Sequence, residues 1–178
     1  ITQEIINKYW YYNLHSILQY CLIIAGYNNN VLSIPEYKLR LKKPLDKFRV
    51  DNRFKSKIRY MRTFRLDVGF LVDNELIGLG EIYTPDEIHG CLPSHMIEEG
   101  PWITPYHKLI HIAGTEKDIR FMLLVIGVWG VSSWKDAKKR TPKEWVSCWL
   151  ELINTIKEKG IDVAYVLINS LSDIRYYK

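Results

Sequence analysis

The stretch "FRLDVGFLVDNELIGLGEIY", Phe64 to Tyr83, sets two carboxylates, Asp67 and Glu81, inside apolar runs. A carboxylate taken out of water without a partner is costly, so this segment must either expose both acids or repay them. Alternation of Phe64, Leu66, Val68, Phe70 and Val72 predicts a strand with those five residues on one face, and Leu76 to Tyr83 reads as its return. The turn-prone "DNE" between them predicts a hairpin. With a three-residue loop of Asp73, Asn74 and Glu75, Val72 faces Leu76, Phe70 faces Gly78 and Val68 faces Gly80. Asp67 then lies opposite Glu81, with the side chains about 5 Å apart on one face. A two-residue loop would shift the register by one and send the two carboxylates to opposite faces.

Two carboxylates so close repel, and one takes a raised pKa unless a cation sits between them. Mg²⁺ or Mn²⁺ satisfies such a pair with oxygen ligands and keeps waters for chemistry. Gly78 and Gly80 are expected to leave the neighbouring surface open to a substrate. The competing expectation is structural: Asp67 pairs with Arg65 or another base, and Glu81 simply ends its strand.

Outward from the hairpin, a helix is expected from about Thr2 to about Ala25, stopped by Gly26 and "YNNN". Ile6, Trp10, Leu14, Ile17, Cys21 and Ile24 recur at spacings of three and four, while Asn13, His15, Ser16, Gln19 and Tyr20 occupy another side. The uncharged run Tyr9 to Tyr27 therefore reads as an amphipathic helix facing a core or a homodimer seam, with no membrane span. "VLSIPEYKLRLKK" suggests an extended edge segment, and Pro44 to Lys57 a mobile loop. After Pro85 a long irregular stretch leads to a short helix at Tyr106 to Ile112. "RFMLLVIGVWG" is an apolar run suited to a strand covered on both faces. Thr141, Pro142 and Glu144 start a helix that stops at Gly160, and "DVAYVLIN" is a further buried strand. Strand, helix, strand implies a parallel pair with a right-handed crossover.

Charge is distributed unevenly. From Lys38 to Arg62 eleven basic residues face two acids, whereas from Leu66 to Arg120 ten acids face three bases. A basic arm before an acidic centre suits a protein that binds a polyanion and holds a cation. Lys42, Lys43, Lys47, Arg49, Arg53, Lys55, Lys57, Arg59 and Arg62 are the candidate phosphate contacts. "SSWKDAKKRTPKEW" is read as a solvated loop entering a capped helix.

The order of elements, with an acid in the first strand of the hairpin and a Glu in the second, resembles the PD-(D/E)XK nuclease superfamily. "RLDVGF" supplies its Asp as Asp67, and "GEIY" its Glu as Glu81. The resemblance implies an α/β, restriction-endonuclease-like domain over residues 1–178, a central mixed sheet with a hairpin and flanking helices. It implies metal-assisted hydrolysis of phosphodiester bonds in DNA with Mg²⁺ or Mn²⁺, and a first-helix acid, here Glu4, as a further metal ligand. With no helix-turn-helix or zinc finger to read bases, junctions, flaps or ends are the expected substrates. The motif departs at its lysine, which is Tyr83 in this chain. Either a lysine comes from elsewhere, Lys108 first and then Lys57; or Tyr83 orients water by its hydroxyl; or the protein binds nucleic acid without cutting.

A different centre is also open: Cys91, His95, His107 and His111 offer four ligands for a structural zinc in an unrelated α/β domain. At 178 residues with 47% apolar content the chain forms one domain, not a disordered segment. Three scattered cysteines argue for a reducing, cytoplasmic setting, and no signal peptide is visible. The Ile, Lys and Tyr bias points to an AT-rich, archaeal or viral genome. The expected protein is thus a homo-oligomeric nuclease, paired through its first helix and acting on DNA.

Overall fold

The computed structural model describes residues 3–46, 60–83, 105–127, 142–170 and 173–177. Its elements in chain order are α1 (Gln3–Asn28), β1 (Leu32–Asp46), β2 (Tyr60–Val72), β3 (Glu75–Tyr83), α2 (Pro105–Thr115), β4 (Phe121–Gly127), α3 (Pro142–Lys157), β5 (Asp162–Ser170) and β6 (Asp173–Tyr177). The six strands form one mixed sheet in the order β1-β2-β3-β4-β5-β6. β1–β2, β2–β3 and β5–β6 pair antiparallel, and β3–β4 and β4–β5 pair parallel. The chain is α/β, as expected.

Two apolar clusters separate the layers. On one face Leu109 and Ile112 of α2, and Trp149, Leu152, Ile153 and Ile156 of α3, pack on Met122, Leu124, Ile126, Val163 and Leu167. On the other, Leu22 and Leu18 of α1 meet Val68, Phe70, Ile82, Val125 and Ile168. β4 contributes alternate residues to both, which is why its sequence is apolar without interruption. Prolines at 35 and 44 are tolerated because β1 is an edge strand. That edge runs to Asp46, two residues past the expected loop start at Pro44. β6 was not anticipated, because five residues carry too little alternation to announce a strand.

The hairpin reaches the expected register by a different route. Asp73 and Asn74 both have positive φ, 50° and 65°, so the turn has two residues and the primed geometry that suits strand twist. Val72 pairs with Glu75 and Leu71 with Leu76, one position off the expected ladder. A bulge then leaves Ile77 unpaired, and Phe70↔Gly78, Gly69↔Leu79 and Val68↔Gly80 resume it. The Ile77 carbonyl accepts the Arg120 N–H at 2.7 Å, so the bulge also anchors the entry to β4.

β2 does not keep one face throughout. Phe64 and Leu66 belong to the cluster beneath α2 and α3, but Val68 and Phe70 belong to the cluster beneath α1, although all four share one parity. The strand therefore switches faces at Asp67, and Val72 is exposed at the hairpin tip. β1 switches beside it. Pro35↔Val68 and Tyr37↔Leu66 flank Glu36, whose φ is +52°. Tyr37, Leu39 and Leu41 pack with the larger cluster, whereas Ser33 lies against Gly26 of α1.

The glycines are packing seats rather than a substrate floor. A Cβ on Gly78 would stand 2.4 Å from the Phe121 ring, and one on Gly80 2.9 Å from Leu22. Gly78→Val is accordingly expected to lower stability by about 1–3 kcal/mol through overpacking, measured by urea unfolding.

α1 also differs from expectation. Its sheet-facing side carries Leu14, Leu22 and Gly26, while Ile17 and Ile24, expected in the core, are 42% and 41% exposed. Among the described residues no helix is long and apolar enough to cross a membrane.

Candidate active site

The face switch in β2 and β1 opens the sheet at Asp67. The ladder between β2 and β3 ends at Val68↔Gly80, and the Asp67 carboxylate takes over one backbone donor, accepting the Ile82 N–H on Oδ2 at 2.7 Å. Its Oδ1 lies 3.3 Å from His15 Nε2 on α1. Gln19, one helical turn on, donates from Nε2 to the Asp67 carbonyl at 2.8 Å and to Glu36 Oε1 at 3.0 Å. Arg65 pairs with the other oxygen of Glu36. Glu36 and Gln19 thus brace the kinked backbone from which Asp67 projects. Part of the polar side of α1, through His15 and Gln19, is turned toward this kink.

Glu81 sits one residue past the last ladder pair and is 2% exposed. Its Oε2 accepts from Lys108 Nζ at 2.7 Å and from the Tyr83 hydroxyl at 3.3 Å. Its Oε1 is buried with no hydrogen-bond partner among the described residues. Burial pushes the Glu81 carboxyl up to about 7; the Lys108 ammonium opposes this and the nearby Asp67 charge adds to it. The acids are therefore electrostatically coupled, as the hairpin register implies.

Lys108 comes from α2, where Pro105 at the first position sets the helix start. A cation in a first helical turn opposes the helix dipole, so local helix energetics do not account for it. Its position follows from its bonds: besides Glu81 it donates to the Arg65 carbonyl at 2.6 Å, and only 17% of its side chain is exposed. Lys108, the first candidate to replace the motif lysine, is brought to Glu81.

Other candidates fare differently. Tyr83 is buried, with its ring 4.8 Å from Trp149, so its hydroxyl serves Glu81 inside the core. Glu4 lies on α1 eleven residues before His15, on nearly the same helical face but about 16 Å along the axis. Its side chain lies outside the described residues; among the described residues of α1, His15 meets the Asp67 carboxylate. Lys42 pairs with Asp118, which raises its pKa, and its backbone N–H bonds to Glu116. Lys43 and Arg62 are exposed; Lys47, Arg49, Arg53, Lys55, Lys57 and Arg59 lie outside the described residues.

Of the zinc candidates, Cys91 and His95 also lie outside them. His107 and His111 share a face of α2, but His111 Nε2 is bonded to the Lys43 carbonyl at 2.8 Å, and burial lowers the pKa of His107. Among the described residues no group of three or more His, Cys, Asp or Glu side chains is arranged to hold a metal.

His15, Gln19 and Glu36 were not singled out by sequence. The only signal for the first two was their spacing of four on one helix, which marks a shared face without saying what it meets. Comparison with protein-family models, curated proteins and solved structures finds no match to this chain.

Proposed function

We propose that this chain is a Mg²⁺- or Mn²⁺-dependent nuclease that hydrolyses phosphodiester bonds in DNA, built on a restriction-endonuclease-like fold. The observation that carries the proposal is the Lys108 ammonium 2.7 Å from Glu81 Oε2, with Glu81 Oε1 buried, without a hydrogen-bond partner among the described residues, and near the Asp67 charge. An acid hairpin with an ammonium beside its second acid is the arrangement that the departure at Tyr83 left open. The run of helix, three antiparallel strands, helix and a parallel strand agrees with that fold.

The residues fit a hard divalent ion. Glu81 Oε1 is buried and accepts no hydrogen bond among the described residues, and Asp67 has lone pairs beyond those that its two described contacts use. Two carboxylates suffice for an ion that keeps several waters. When bound, the ion supplies charge neutralisation at the scissile phosphate and acidifies water. Asp67, fixed by the Ile82 amide, and Glu81, fixed by Lys108, would hold it. Lys108 would place its ammonium where negative charge develops in the transition state, in a place largely shielded from water. Exposed bases such as Arg62 and Arg65, with the basic arm, supply phosphate contacts that position DNA without reading its sequence. Junctions, flaps or ends are the fitting substrates.

The test is cleavage of supercoiled and branched DNA with Mg²⁺ or Mn²⁺. Wild type should cut, EDTA should stop it, and Asp67→Asn should lower the rate at least about 100-fold while DNA binding persists. Binding should weaken steeply with salt. Binding without cleavage by wild type under every metal condition would leave a nucleic-acid-binding protein and reject the enzyme.

A further inference from the structure

Tyr37, Leu39, Phe64 and Leu66 pack beneath α2 and α3, so Lys38 and Arg65 between them stand on the opposite face of β1 and β2. They are cross-strand partners, which sets their Cβ atoms about 5 Å apart, and both are exposed. Like charges directly opposite destabilise a sheet unless an anion lies against them. Here that anion comes from the chain itself. Glu36 takes Arg65 on Oε2 and accepts the Gln19 amide on Oε1 at 3.0 Å.

The backbone of Glu36 is unusual for its residue type. Its φ is +52°, and the other non-glycine residues with positive φ among those described, Asn30, Asp73 and Asn74, lie in turns and are types that accept it. An exposed ion pair contributes too little to account for a glutamate in that conformation within a strand. Its place is informative. Pro35↔Val68 and Tyr37↔Leu66 set Glu36 level with Asp67, whose carbonyl Gln19 also holds at 2.8 Å. A cation pair and an amide donor thus gather beside Asp67, with a strained carboxylate among them.

We propose that Arg65, Lys38 and Gln19 form a seat for one phosphate of a nucleic-acid strand, and that Glu36 fills this seat in the free protein and yields it when the strand arrives. The identity of the ligand rests on the DNA-binding reading above. The exchange replaces a carboxylate by a phosphate, to which a guanidinium can give two parallel hydrogen bonds. A tethered carboxylate is hard for a free ion to displace. A strand already held by the basic arm competes at high effective concentration.

Anisotropy of a labelled branched DNA in EDTA tests the seat. Glu36→Gly suits the positive φ and removes the carboxylate; it should bind about 5- to 10-fold more tightly than wild type, with an unchanged far-UV spectrum. Arg65→Ala should bind about tenfold more weakly. Adding Glu36→Gly to Arg65→Ala should gain no more than adding Glu75→Gln, which removes an exposed acid at the hairpin tip. Equal gains from Glu36→Gly with and without Arg65 overturn the proposal. So does weaker binding by Glu36→Gly, which would leave Glu36 only a brace, or no binding by either protein. Inorganic phosphate at matched ionic strength should not displace DNA from wild type; displacement at millimolar concentration would give the seat to the free ion instead. Cleavage is scored separately. If the shifts appear and wild type cuts with no metal, the nuclease falls and the seat stands; if wild type cuts and the shifts are missing, the reverse holds.

Discussion

Lys108→Ala is expected to lower metal-dependent DNA cleavage by about 100- to 1,000-fold, the usual consequence of removing one preorganised charge-stabilising group from a shielded site. DNA affinity should change little, because the ammonium is turned to Glu81 and the Arg65 carbonyl and contributes little to the exposed surface. The same substitution removes the cation beside a buried carboxylate. Leaving a buried charge uncompensated costs about 3–5 kcal/mol when the charge is kept. Glu81 already titrates near neutrality, so the variant can escape part of that cost by taking up a proton. The loss of stability should therefore be smaller at pH 5 than at pH 8. Pairing Lys108→Met with Glu81→Gln should recover stability without recovering cleavage, separating the two roles. If Lys108→Ala cuts at the wild-type rate, the ammonium has no part in the reaction.

Glu81→Gln should do the reverse for stability, strengthening the metal-free fold at pH 8 while abolishing cleavage. The ordinary Glu value of 4.5 is raised to about 7 in the folded protein. A raised folded value means that the folded state holds the proton more tightly than the unfolded chain. The contribution is fully present below about pH 4.5 and lost as pH rises through 7. Between those limits metal-free wild type forgoes on the order of 3 kcal/mol at this one group. Glutamine fills nearly the same volume without titrating, so that part of the pH dependence should vanish. Thermal unfolding in EDTA from pH 5 to pH 8.5 measures it. Mg²⁺ or Mn²⁺ should raise the Tm of wild type at pH 8 and leave that of Glu81→Gln nearly unmoved. An identical pH slope in both proteins would show that Glu81 is not the group responsible.

Much of this arrangement follows from period and punctuation. The long first helix, the hairpin, the helix starting at Pro142 and the parallel strands each repeat one simple spacing, which a chain of residues displays directly. Lys108 was recognisable because it is the first base after the hairpin and lies on the next helix. What escaped was every departure from periodicity. Alternation assumes that a strand keeps its faces, and Asp67 breaks that assumption where Glu36 adopts positive φ opposite it. Turn length and bulge compensate each other, so a three-residue loop and a two-residue turn with Ile77 extruded yield the same later register. Gly78 and Gly80 are small because Phe121 and Leu22 come from distant segments, which local sequence does not disclose. On α1, Ile17 and Leu22 are equally apolar; only the mounted helix shows which one meets the sheet.

The strand order β1-β2-β3-β4-β5-β6 repeats the order of synthesis, and this bears on how the molecule forms. Every strand pairs with the one before it, so no strand has to be inserted between two neighbours that come earlier in the chain. Asp67 and Glu81 come together early, as two arms of one hairpin. Lys108 reaches them only when α2 docks between the completion of β3 and that of β4. A chain that folded in this order would gather its two acids before any ammonium stood beside them. Folding below neutral pH, or with a divalent ion present, would ease that passage, making assembly speed as well as final stability a property of this pair.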